Sequence, residues 1–139
     1  MITAIDTNVL FDILLPNKDF YEASARALQT SSDGGSLVMS DAAYAELSAH
    51  FERQRECDFF LESNGIQVQS LTREALFLAS RAWRKYRGQG GRRMHILSDF
   101  LIGAHAQIQA TKLLSRDRGF YRSMFPSLRL LDPVAKITE

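Results

Sequence analysis

Short apolar runs alternate along this chain with longer segments whose apolar residues recur at helical spacing, and this alternation restricts the fold more than any other feature. Ile2–Ile5, Ser36–Ser40, Ile66–Val68, Lys112–Leu114 and Leu128–Leu131 are too short for buried helices and read as strands. Between them, Thr7–Leu15 reads as a short helix closed by Pro16, and Phe20, Ala23, Ala27 and Leu28 mark a second over Lys18–Thr30. Ser31–Gly35 is a turn cluster. Asp41 opens a helix carrying Tyr44, Leu47 and Phe51, and Asp58–Leu61 continues as another piece ending at the C-cap pair Asn64-Gly65. Thr72 caps a long helix with Leu76, Ala79, Trp83 and Tyr86, and Ser98-Asp99 begins one with Leu101, Ile102, His105 and Ile108. Arg118–Met124 is a last short helix. Strands separated by helices require right-handed crossovers, so the expected fold is a three-layer α/β/α sandwich with a central parallel sheet. At 139 residues the chain is read as one domain over positions 1–139.

Composition excludes several classes of function. One cysteine, Cys57, cannot build a disulfide framework; it reads as a small core hydrophobe in a reducing compartment. Asp6 interrupts the first apolar run too early for a signal peptide, and no run approaches the ~20 residues of a membrane span. The expectation is a cytoplasmic protein. A net charge of +1, from 17 basic and 16 acidic residues, is too balanced for non-specific coating of nucleic acid. A local basic patch remains: Ala75–Ser98 has no acid but contains Arg81, Arg84, Lys85, Arg87, Arg92 and Arg93. With Trp83 and Tyr86 it could grip RNA, although such a run is as often a solvated helix face with its aromatics in the core. Gly88–Gly91 follows a helix and reads as a connection, not a phosphate-cradling loop. His50, His95 and His105 lack metal-ligand spacing, and His105 on an apolar face is expected to be a core histidine.

The acids carry the chemical argument. Ligand sites of open parallel sheets lie beyond the carboxyl ends of the strands. Asp6 directly follows Ile2–Ile5, and Asp117 follows Lys112–Leu114 after two residues. Asp99, in the first turn of its helix, and Glu46, in the helix after Ser36–Ser40, can reach the same edge. Four carboxylates in one cleft would repel one another and raise each other's pKa values. A divalent cation relieves that, and oxygen ligands without cysteine or paired histidine select Mg2+ or Mn2+. Such a cluster suits phosphoryl chemistry. Helix N-capping explains Asp99 and Asp41 equally well, so spacing alone leaves both readings open.

The motifs resemble a known family. Ile5–Leu10 (IDTNVL), Glu46 within Ala42–Leu47 (AAYAEL), Asp99 within Leu97–Ala104 (LSDFLIGA), Asp117 within Leu113–Phe120 (LLSRDRGF) and the closing Leu130–Pro133 (LLDP) together resemble the PIN domain, over the whole chain. Each motif alone is unspecific; the four acids in this order and context are not. The resemblance implies a Mg2+- or Mn2+-dependent ribonuclease, of the kind found as the VapC-type toxin of VapBC toxin–antitoxin pairs. It implies Asp6 and Asp99 as the most direct metal ligands, Asp117 and Glu46 completing the shell, and Asn8 and Ser115 as supporting polar residues. Hydrolysis would then leave a 5′-phosphate and a 3′-hydroxyl. Ser115 stands where the family commonly has threonine, which keeps the hydroxyl. Arg92, Arg93 and Arg116 are the expected RNA contacts, an antitoxin protein the expected partner, and a homodimer the expected assembly. Two other readings compete. One is a catalytically silent PIN-like module that only binds a protein. The other is an aspartyl-phosphate phosphatase with Asp6 as nucleophile and Lys112 as its charge partner, although that chemistry usually wants a second acid where this chain has Asn8.

Overall fold

A computed structural model describes residues 1–89 and 95–134. Among these, five strands and seven helices alternate: β1 (Ile2–Ile5), α1 (Thr7–Leu14), α2 (Tyr21–Asp33), β2 (Ser36–Ser40), α3 (Asp41–Ser48), α4 (Gln54–Ser63), β3 (Ile66–Gln69), α5 (Arg73–Gly88), α6 (Leu97–Gln109), β4 (Lys112–Leu114), α7 (Arg118–Met124) and β5 (Leu130–Leu131). The strands form one parallel sheet in the order β3-β2-β1-β4-β5. Helices flank it on both sides, giving the expected three-layer α/β/α sandwich.

β1 lies at the centre, registered Thr3 with Leu37 on one side and with Lys112 on the other. Thr3, Ala4 and Ile5 are accordingly buried, as are Leu37, Val38 and Met39 of β2 and Leu113 and Leu114 of β4. Strands covered on both faces read as continuous apolar runs, which is why these segments show no alternation. α6 packs on β1, β2 and β4 and runs along α5. It buries Phe100, Ile102, Ala104, His105 and Ala106.

The element edges differ where side chains rewrite the backbone. α2 starts at Tyr21, not Lys18, because the Asn17 side chain accepts the Asp19 N–H (2.9 Å) and closes a turn first. It continues to Asp33, absorbing most of the expected Ser31–Gly35 turn, with Leu28 and Ser31 buried on its face. α4 begins at Gln54, four residues before the expected piece, and buries Cys57 with Leu61 at a spacing of four. Gly65 takes the left-handed conformation (φ 68°) after this helix, as the Asn64-Gly65 pair predicts. Thr72 caps α5 through the Ala75 N–H (3.2 Å), whereas α3 is capped by Ser40 and not by Asp41.

Gly103 allows α6 to approach the Phe125 ring: a Cβ there would stand 2.5 Å from Phe125 Cε2, and Phe125 is itself buried. Gly103→Ala is expected to lower stability by about 1–3 kcal/mol through overpacking, despite alanine's better helix propensity. A urea midpoint that stays unchanged or rises would show that the ring yields.

Candidate active site

The chain runs outward from β1 through β2 to β3, then returns through α5 and α6 to place β4 on the opposite side of β1. β1 and β4 therefore bracket the point where the winding reverses, where open α/β sheets form their ligand crevice. Asp6 leaves β1 there, and its N–H donates to the Leu114 carbonyl at the end of β4 (3.0 Å). Ser115, Arg116 and Asp117 follow on the same edge.

Asp6 is 5% exposed. Its Oδ2 accepts from Ser115 Oγ (2.8 Å), Tyr121 OH (2.9 Å) and Asn8 Nδ2 (3.3 Å). The Ser115 oxygen in turn accepts the Asp117 N–H (3.0 Å), and Asn8 Oδ1 accepts the Arg116 N–H (3.2 Å). Asn8 and Ser115 thus tie the start of α1 to the segment after β4. Burial pushes the Asp6 carboxyl up to about 6 and the Asp99 charge adds to the rise; the hydrogen bonds from Ser115 and Tyr121 oppose it. Although Asp6 sits at the N-cap of α1, its side chain makes no cap hydrogen bond.

Glu46, half-buried on α3, accepts from Ser98 Oγ at Oε2 (3.1 Å). The Thr7 hydroxyl lies 3.2 Å from Glu46 Oε1 and 3.3 Å from Asp6 Oδ1, and its one proton serves one acid at a time. Asp99 Oδ2 accepts the Ile96 N–H (3.0 Å), so it does bond back to the start of its own helix. Burial raises the Asp99 pKa and the charge of Asp117 reinforces that, against the Ile96 N–H and His95. Asp117 Oδ2 lies 3.0 Å from His95 Nε2. The imidazole is stacked on Phe120 at 4.0 Å and 10°.

Asp6, Asp99 and Asp117 thus share this edge in a chain of mutual repulsion, and Glu46 reaches it through the Thr7 hydroxyl that also lies against Asp6. Oxygen donors of this kind match hard divalent cations, whose charge would relieve the repulsion. The side chains turn to internal donors, however. Among the described residues no three His, Cys, Asp or Glu side chains stand close enough to enclose an ion as placed.

Other expected residues have different surroundings. Arg92 and Arg93 lie outside the described residues. Arg116 directs Nε and Nη2 to Asp12 (2.7 and 2.9 Å). Arg81, Arg84, Lys85 and Arg87 are exposed on α5, while the Trp83 and Tyr86 rings pack against Phe100, each at 5.3 Å. Lys112 opens β4 opposite Thr3, three residues before the strand's exit, and at ~3.3 Å per residue this sets it roughly 10 Å back from the acidic edge. That placement disfavours a charge partnership with Asp6. His105 is buried with Nε2 3.0 Å from Gln69 Oε1, a satisfied core histidine whose pKa burial lowers. Burial raises the Cys57 thiol, as suits an inert core residue.

Sequence reading did not single out His95, Tyr121, Thr7 or Ser98. Two faint signals existed: Tyr121 follows Asp117 by four residues, one helical turn, and Ser98 adjoins Asp99.

No curated protein sequence matches the chain significantly. Solved structures do: VapBC-1 from nontypeable Haemophilus influenzae is 19% identical, with a TM-score of 0.71 over 97% of this chain and 100% of that one. VapBC2 from Rickettsia felis, bound to a DNA fragment from its promoter, is 17% identical, with a TM-score of 0.70 over 95% and 98%. A toxin–antitoxin complex from Klebsiella pneumoniae is 16% identical, with a TM-score of 0.66 over 96% and 99%. At such identities these likenesses establish the fold. The family model for the PIN domain matches residues 3–125, which includes all four acids, and the chain belongs to the PIN-domain family.

Proposed function

We propose that this chain is a metal-dependent endoribonuclease and the toxin of a type II toxin–antitoxin pair. The observation that carries the reading is the Asp6 carboxylate: buried at the winding reversal, held by Ser115, Tyr121 and Asn8, and facing the charge of Asp99. A structural acid at that depth would be paired with a cation; here its electrostatic neighbour is another acid. Asp6 and Asp99 would hold the ion most directly, with Asp117 and Glu46 completing the set. Mg2+ or Mn2+ held there supplies the charge that neutralises a phosphodiester and assists deprotonation of water.

The chain's own residues orient that set. Ser115 and Tyr121 fix one Asp6 oxygen, Ser98 holds Glu46, and His95, itself stacked on the Phe120 ring, holds Asp117. Arg92 and Arg93 supply positive charge for the RNA backbone, whereas the Arg116 fork is taken up by Asp12. An antitoxin partner is proposed because the similar structures are VapBC and other toxin–antitoxin complexes. A homodimer, a single domain over the whole chain and a cytoplasmic setting complete the proposal. No helix among the described residues is long and apolar enough to cross a membrane.

The test is cleavage of a mixed RNA pool by purified protein with Mg2+, with Mn2+ and with EDTA. Cleavage with either ion and none with EDTA is the expected result. An intact fold that cuts nothing under any condition would instead favour the silent binding module.

A further inference from the structure

Asp12 is a carboxylate on α1, 2% exposed, six residues beyond Asp6 and outside the acidic site. A buried charge needs a partner, and Asp12 has two. Arg116 meets it with both arms of a fork, Nε to Oδ2 at 2.7 Å and Nη2 to Oδ1 at 2.9 Å. Ser24 of α2 adds a hydrogen bond to Oδ2 at 2.6 Å. The guanidinium plane also lies over Phe20, with Cζ 4.0 Å from the ring centroid. A planar, forked cation stacked on an aromatic ring has little freedom left. Arg116 stands between Ser115, which donates to Asp6, and Asp117, and its own N–H is held by Asn8.

We propose that Asp12 and Arg116 form a positioning clamp that fixes the Ser115–Asp117 segment against α1 and so sets where Ser115 and Asp117 stand at the acidic site. Its effect on catalysis rests on the nuclease reading; the clamp itself does not. Arg116 acts here through its neighbours, whereas an arginine serving only as an RNA contact would need no buried carboxylate behind it.

Asp12→Asn and Arg116→Lys test this, the lysine keeping the charge but losing the fork. Amide hydrogen exchange at Arg116 and Asp117 is expected to accelerate about tenfold or more relative to Ala4 and Val38, as release of one local unit requires. In the cleavage assay kcat should fall about tenfold to a hundredfold in both variants, since a displacement on the order of 1 Å costs that much, with KM nearly unchanged. The pair Asp12→Asn with Arg116→Gln should be no worse than either single change, and it covers the case in which one single variant folds poorly. Unchanged exchange and unchanged kcat in Asp12→Asn would overturn the clamp. So would a raised KM in Arg116→Gln that Arg116→Lys restores, because that pattern belongs to an RNA contact. If the unaltered protein cuts no RNA, the exchange rates still decide the clamp, and the nuclease reading fails alone.

Discussion

Asp6→Asn is expected to lower RNA cleavage by about a thousandfold or more, the scale reached when one member of a transition-state charge array is removed, while the folded chain becomes no less stable at neutral pH. The two halves of that expectation have one cause. The Asp6 carboxyl rises from 3.8 to about 6 on folding, mainly through burial. Between those values the folded chain keeps a proton that the unfolded chain has released, so stability is full below about pH 4 and declines as pH rises through about 6. Ionised Asp6 thereby costs the fold roughly 3 kcal/mol at pH 7. An amide at this position carries no charge to desolvate, and its oxygen can still accept from Ser115 and Tyr121. The variant should therefore melt at or above the parent's temperature at pH 8, and the difference should shrink as pH falls below about 6 and close below about pH 4. Retained cleavage would sink the role of Asp6. A melting temperature well below the parent's at pH 8 would show that the carboxylate is structural.

That conflict between stability and chemistry marks Asp6 out from the other acids of the chain. Asp12 is equally buried, yet it is matched by Arg116 and Ser24 and contributes to holding the structure. Asp58 accepts from Tyr44 (2.7 Å) and Asp132 has Arg118 at 3.9 Å. Asp6 is surrounded by neutral donors, with acid beyond them. Real proteins tolerate such local inconsistency where function requires it.

The order of elements was legible because it rests on period. Thr3–Ile5 and Leu113–Leu114 are apolar or small without alternation because both faces of the sheet are covered, and their lengths separate them from the helices. What escaped was set by single side chains, such as the Asn17 turn that delays α2. The acidic edge was legible for a related reason: in a parallel sheet every strand exit faces the same way, so acids placed just after strands share an edge before any contact is known. The links among them were not. Tyr121 meets Asp6 across 115 positions and Arg116 meets Asp12 across 104, and no local pattern encodes such pairs. His95 lacks metal-ligand spacing, and its partner is a carboxylate 22 positions away, Asp117, which no local pattern encodes.

Divalent metal is expected to raise the melting temperature, and by more at pH 8 than at pH 5. A ligand at a hundred times its Kd stabilises by about 2.7 kcal/mol, which for a chain of this size is roughly 10 °C. Burial and mutual repulsion raise both Asp6 and Asp99, so acid protonates the very groups proposed to bind the ion. With the Asp6 carboxyl at about 6, nine molecules in ten carry its proton at pH 5, and the apparent affinity should fall at least about tenfold. At fixed metal concentration that removes about half of the temperature rise. EDTA should abolish the rise at pH 8, and Asp6→Asn should abolish most of it without EDTA. Equal ionic strength from NaCl separates a bound ion from general screening, which has no reason to vanish with one carboxylate. Mn2+ and Mg2+ are both to be tried, because the oxygen donors accept either. If neither ion moves the melting temperature at pH 8 while the fold is intact, the repulsion among Asp6, Asp99 and Asp117 is not relieved by metal. The protein-binding reading of this edge would then be the better one, with a basic partner segment as the natural source of the missing charge.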